Sequence, residues 1–455
     1  MKSVFEYFEE IMNIPRESGK EEKIAEYIVK YAKENNIECH LGKYNTIFLR
    51  KNNNSNKTII LHAHSDMVCV SNNNYDFDNF GIPFYIDGDY YKSKCTSLGA
   101  DDGIGVAIIL AILQEREDMP NIEVMITTQE ETTMLGAANF DYSLITGKTL
   151  ISLDGIKEAD IESSSAGMCS ITLNKQIDYC DNMYNSYKLS VKGLMGGHSG
   201  DDINKNRCNA IKIMIYILKN IGINKIVEID IGRKDNVIPS EGYIVFSSEL
   251  DFETINNKIK NTDLKLCKDD SNFDYILELV ENAKYIKNSE DIINILYDLK
   301  NGLLETYLQD GFPLLSANIG KVSNDNNTIT INYSIRSSDK LKEEDLINET
   351  KSIAHKYGFV LTIDAMKPFF PFKEKSNIRE LLSISYKELF GKNTTIKKIH
   401  ACMEGGIISN NIKDLDICTI APTIDNCHSV NENVSISSIK RVYEWLKDTL
   451  IRFNR

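Results

Sequence analysis

Five potential metal ligands, His64, Asp101, Glu131, Asp154 and His428, occur in this order along the chain, each shortly after an apolar run. Imidazole and carboxylate groups delivered from separate strand ends are what a metal site at the mouth of an α/β sheet requires. Glu130, directly before Glu131, adds the base that an activated water would need. The pattern points to hydrolysis of an amide bond assisted by two metal ions.

Local spacing supports each assignment. In His62-Ala63-His64-Ser65-Asp66, residues two apart project to one face of a strand. His64 can then ligate while Asp66 braces its ring from behind. Asp101 lies in Leu98-Gly99-Ala100-Asp101-Asp102-Gly103, a glycine-flanked turn before a helix, where a carboxylate has room to bridge two ions. Glu130 and Glu131 cannot both stay charged cheaply in a partly buried pocket unless a cation compensates. Asp154 again ends an apolar strand, and His428 stands in Asn426-Cys427-His428-Ser429 with Glu432 close behind. One metal would take His64, Asp101 and Asp154, and the other His428, Asp101 and Glu131. Such mixed ligands suit zinc, and also cobalt or manganese. Taken singly, each residue has an ordinary explanation: a helix N-cap for Asp101, a satisfied structural pair for His64 and Asp66, a solvated loop for the two glutamates. Their common placement outweighs those explanations.

These residues need elements to hold them. Thr58–Leu61, Ile122–Thr127 and Thr149–Leu153 read as strands. Helices are expected over Lys2–Met12, from Ser18 (with Glu21 completing a capping box) and over Gly103–Glu115. The alternation indicates an α/β catalytic domain with a mostly parallel mixed sheet and helices on both faces. Near Tyr184 the character changes to one-face alternation, as in Tyr187–Val191. Strands around 226–231, 243–248, 328–335 and 359–363 and helices over 209–220 and 344–357 follow, with a helical and polar stretch over about 252–310. Lys367–Asn377 reads as a return linker. Since His428 belongs with the early ligands, the tail must rejoin the first domain. The expected organisation is therefore a discontinuous catalytic domain, 1–184 and 375–455, with an α+β lid domain, 185–374, inserted in it.

The chain has 455 residues, too many for one ordinary core, with 42% hydrophobic and 26% charged residues. Its formal charge of −14 argues against nucleic acid or an anionic membrane as a partner. No apolar stretch nears the roughly 20 residues needed to cross a bilayer, and the acidic opening residues do not resemble a signal peptide. The 10 cysteines stand singly, as reduced thiols of a cytoplasmic protein would.

The motifs resemble those of the di-zinc metallopeptidases, and within them the aminoacyl-histidine (Xaa-His) dipeptidase branch. The matching stretches are Ala63–Val68, Leu98–Gly105, Glu130-Glu131, Lys192–Gly200, Ile335-Arg336-Ser337, His400–Gly406, Ala421-Pro422-Thr423 and His428-Ser429. The resemblance implies two zinc ions on the ligands above, Glu130 as general base and a cis peptide bond between Asp101 and Asp102. It implies that His198, on a lid over the cleft, stabilises the oxyanion, and that Arg336, with help from Asn236, grips the substrate's terminal carboxylate. Glu404 is expected to line the substrate pocket. The chain departs from the branch at Asp102, where asparagine is usual, and at Cys402-Met403. The implied activity is hydrolysis of dipeptides, with an N-acyl amino acid deacylase or tripeptidase on the same fold, or a non-catalytic zinc- or peptide-binding protein, as alternatives. The expected partner is a small peptide, and the chain is expected as a monomer or a homodimer through the lid.

Overall fold

The computed structural model describes residues 2–115, 118–325 and 327–455, which divide into two compact units. The first comprises 1–165, 370–399 and 403–455; the second comprises 166–369 and 400–402.

The first unit is built on an eight-stranded mixed sheet. Its middle is parallel: Asn121–Thr127, Thr58–His64, Thr149–Ser152 and Asp416–Thr419 run the same way. Ile47–Lys51 and Glu38–Leu41 extend one side in antiparallel fashion, and Asp160–Ser165 and Thr395–Ile399 extend the other. The middle strands read as continuous apolar runs because both faces are covered. Ile59, Leu61 and Ala63 enter one core with the helices Val4–Met12, Glu22–Glu34, Ala100–Ile112 and Ile436–Asn454. Ile60, Met125 and Leu150 point the other way, into a smaller core with Ile408 of the helix Glu404–Asn411. His62 and His64 share the parity of Ile60, so both point to that second face.

The expected capping box at Ser18 does not form. The helix begins at Glu22, while the Ser18 hydroxyl donates to Asp66 at 2.7 Å and Glu21 accepts from the amides of Gly19 and Gln129. Longer-range partners outcompete the local cap. Ser3 and Glu6 do form such a box at the first helix. The helix expected over Gly103–Glu115 opens where expected, since Asp101 and Asp102 just ahead of it have non-helical backbone; it runs to Ile112 and is buried throughout.

The second unit holds a nine-stranded antiparallel sheet. Alternate residues of its strands, such as Leu189, Ile229, Ile244, Ile319 and Ile331, share a core with the helices Ala210–Ile221, Ser289–Asp298 and Lys340–Lys356. Asn209 caps the first of these helices through its side chain, and Gly222 ends it at φ +81°. The unit begins ahead of the change in character at Tyr184, because Gly167–Gln176 pairs with both Thr328–Ser337 and Val360–Lys367. Within the stretch expected to be helical and polar, Asp274–Val280 forms an edge strand beside Asn185–Lys192.

Candidate metal centre

The parallel strands of the first unit end together, and the side chains just beyond those ends converge. His64 is the last residue of Thr58–His64 and is paired with Thr127 at the end of the neighbouring strand. Glu130 and Glu131 follow that neighbour by three and four residues, and Asp154 follows Thr149–Ser152 by two. This is the carboxyl edge where open α/β sheets bind ligands. His428 arrives from the connection between two short strands, Ile424–Asp425 and Asn433–Ser435. It is held in the left-handed backbone region at φ +59°, an unfavourable conformation for a residue with a β-carbon.

Asp101 occupies the centre. Its Oδ1 lies 3.2 Å from His64 Nε2, and its Oδ2 lies 3.3 Å from His428 Nε2. His64 Nε2 is also 3.6 Å from Asp154, and His428 Nε2 is 2.8 Å from Glu131. Two candidate triads result, His64–Asp101–Asp154 and Asp101–Glu131–His428, with potential ligand atoms in each within 4.8 Å of one another; His64, Glu130 and Glu131 form a third such group. The first two share Asp101. The peptide bond between Asp101 and Asp102 is cis.

The electrostatics fit a cation. Burial pushes Glu130, Glu131 and Asp154 upward, and the neighbouring carboxylates push further in the same direction. Burial would also raise Asp101, but hydrogen bonds from His428 and His64 hold it below its ordinary range. The same carboxylates draw protons onto the imidazoles: hydrogen bonds to Asp101 and Glu131 raise His428 to about 10. A divalent ion in each triad would neutralise the same charge through the same atoms. The buried Glu131 Oε1 faces His428 Nε2, the other end of its triad, at 2.8 Å.

The surroundings fix the ligands. Asp66 Oδ1 faces His64 Nδ1 at 3.4 Å, and the Asp66 carboxylate accepts from the amides of Glu130 and Glu131 at 3.1 and 3.3 Å. It therefore braces the ring and positions the two glutamates together. Asp102 accepts from the amide of His64 and from that of Gly105 at the helix start. His62 lies one layer below, bonded to Ser152, Thr127 and Glu404. Glu404, expected to line the substrate pocket, is fully buried under the ligand strands with its carboxylate on His62 and Thr127. As the first residue of its helix it points down to the sheet, so it is placed to hold the ligand strands rather than a substrate.

The remaining expected residues lie in the second unit and meet at Ser199. The strand pair Gly197–His198 and Val237–Ile238 sets His198 opposite Val237, next to Asn236. The Asn236 carbonyl accepts from the Ser199 amide at 2.9 Å, and Arg336 Nε reaches the Ser199 hydroxyl at 3.4 Å. His198 Nδ1 is 3.1 Å from Asp201. Arg336 is only 4% exposed, and the Asn236 Oδ1 is buried without a partner among the described residues. Beside Arg336, the cross-strand neighbour Ser316 bonds His400 Nε2 at 2.8 Å. His400 opens the matching stretch His400–Gly406, but no local pattern in the sequence assigned it a role.

A protein of Escherichia coli (strain K12) described as cytosol non-specific dipeptidase is 29% identical over 98% of this chain and 96% of its own. The crystal structure of aminoacylhistidine dipeptidase from Vibrio alginolyticus superposes with a TM-score of 0.87 at 27% identity, covering 98% of this chain and 96% of that one. A tripeptidase structure from Staphylococcus aureus shares the fold at a TM-score of 0.62 and 15% identity, over 99% and 98% of the two chains. The model of peptidase family M20/M25/M40 matches residues 60–452, from the strand that delivers His64 to the last helix. The chain belongs to that family and is a metal-dependent peptide hydrolase.

Proposed function

We propose that the chain is a cytoplasmic dipeptidase acting on Xaa-His and related dipeptides with two zinc ions. The observation that carries the two-metal reading is Asp101, whose two oxygens each face a different imidazole. The dipeptide reading is supported by the two relatives named as dipeptidases, each aligned over nearly the whole chain. The cytoplasmic reading is supported by the cytosolic relative; no helix among the described residues is long and apolar enough to cross a membrane.

His64, Asp101 and Asp154 would hold one ion, and His428, Asp101 and Glu131 the other. When bound, the ions would polarise the scissile carbonyl and lower the pKa of the attacking water. Glu130 is the proton carrier: burial raises its carboxyl, so it can accept the water's proton and release it to the departing amine. Asp66 keeps Glu130 in place through the backbone amide and holds the His64 ring. In the second unit, the Arg336 guanidinium would pair with the free carboxylate of the peptide and Asn236 would add a hydrogen bond. His198 would donate to the oxygen that gains charge.

The test is turnover of the zinc-loaded protein on dipeptides including carnosine and Leu-His, beside tripeptides and N-acetylated amino acids. Rapid cleavage of the dipeptides, lost in Glu130→Ala with metal retained, is the expected result. Turnover confined to tripeptides or acylated amino acids would replace the substrate assignment.

A further inference from the structure

Two buried charged residues outside the ligand set converge on the turn that carries Asp101. Arg16, in the segment after the first helix, is 1% exposed. Its Nη1 donates to the carbonyls of Ser65 and Asp66 at 3.1 and 2.9 Å, and its Nη2 donates to the carbonyl of Gly99. One guanidinium thus joins the chain leaving His64 to the chain entering Asp101. Its Nε has no hydrogen-bond partner among the described residues, a cost that an apolar residue filling the same space would not carry.

Glu432 holds the same turn from another element. Its carboxylate accepts from four successive amides: Leu98 at 2.7 Å, Gly99 at 2.9 Å, Ala100 at 2.8 Å and Asp101 at 3.3 Å. The Glu432 amide donates to the carbonyl of Ser429, so the residue is folded into the loop that presents His428. Gly99 therefore gives its N–H to Glu432 and its C=O to Arg16. The opposite charges of the two side chains balance across the turn.

The glycines flanking Asp101 are explained by the same contact. Gly99 lies at φ +71°, and a β-carbon on it would stand 2.5 Å from Arg16 Nη2. A β-carbon on Gly103 would stand 2.5 Å from the same nitrogen and 3.1 Å from Arg16 Cζ. Glycine at both positions leaves the room that the guanidinium fills.

We propose that Arg16 and Glu432 are positioning residues that preset His64, Asp101 and His428 for metal before any ion arrives. The proposal rests on the reading of those three as ligands. Partners that orient a ligand without touching the metal typically govern about 10–100-fold in affinity.

The experiment is zinc competition against a chromophoric chelator, with thermal unfolding of the metal-free protein alongside. Arg16→Lys and Glu432→Gln should each lower zinc affinity about 10–100-fold. Gly103→Ala should lower it as well in the natural protein, and should have little further effect in an Arg16→Ala background, since the clash is then gone. Lowered melting temperatures with unchanged zinc affinity would overturn the proposal and leave both residues as ordinary core. Equal effects of Gly103→Ala in the two backgrounds would also overturn it. His64→Ala and Asp101→Ala serve as references: if they bind zinc as tightly as the natural protein, the ligand reading itself has failed, and that result is separate from any shown by the clamp variants.

Discussion

One cluster in each unit concentrates buried charge, and the two clusters differ in sign. In the first, Asp101, Glu130, Glu131 and Asp154 crowd around two imidazoles, with Asp66 and Glu404 behind them. In the second, Arg336 is buried with no carboxylate in salt-bridge reach among the described residues, and its Nε donates to the neutral Ser199 hydroxyl. His400 beside it adds no charge, since burial and then the nearby Arg336 lower it to about 3. An uncompensated buried charge costs several kcal/mol. On the proposed function each set would be explained by its ligand: cations for the first, an anion for the second.

Removing the shared carboxylate should break that contrast most severely. Asp101→Ala leaves both triads one ligand short, so bound zinc measured by elemental analysis should fall and peptide hydrolysis should drop to background. Glu130→Gln comes next. It should lower kcat about 10²–10⁴-fold with the metal content unchanged, because it removes the proton carrier and no ligand. Retained zinc with lost activity would separate the two glutamates, which sequence adjacency alone cannot do.

In the second unit, Arg336→Lys sharpens the anion reading. Loss of a charged hydrogen bond is worth about 1.5–3 kcal/mol, so KM for dipeptides should rise about 10–100-fold with a smaller change in kcat. C-terminally amidated dipeptides should already be poor substrates of the natural protein and should lose little more in the variant. The smallest effect concerns a carboxylate with no ligand to meet. Burial, and then Glu344, raises Glu343 from 4.5 to about 7. A raised acid favours folding while protonated, and that contribution is lost as pH climbs through 7. Glu343→Gln should therefore stabilise the protein at pH 8 by on the order of 1–3 kcal/mol, with the gain vanishing below about pH 5 in denaturant titrations.

Of the expected ligands, His64, Glu131 and Asp154 were legible because each follows a buried strand, and Asp101 because it stands where a buried helix opens; His428 lies in a loop between two short strands. Simple alternation places His62 and His64 on one face, while Asp66 lies just past the strand's end and still reaches His64 Nδ1 at 3.4 Å. The role of Glu404 was not legible, since a helix-initial glutamate reads the same whether it faces a pocket or a sheet. Arg16 acts through three backbone carbonyls distant in sequence, and no local pattern encodes that. The edge strand Asp274–Val280 was missed although Tyr275-Ile276-Leu277 and Leu279-Val280 are apolar, because it lies inside a stretch whose overall composition reads as helical and polar. Ser18 and Glu21 matched a capping pattern, yet the carboxylate of Asp66 and the amide of Gln129 took them instead.

The central claim is that Asp101 sits between two metal ions, and anomalous diffraction at the zinc edge from zinc-loaded crystals tests it most directly. The account predicts two peaks flanking Asp101, one about 2.0–2.2 Å from ligand atoms of His64 and Asp154, the other at that distance from His428 and Glu131. A single peak, or peaks that leave Asp101 without a metal on either oxygen, would contradict it.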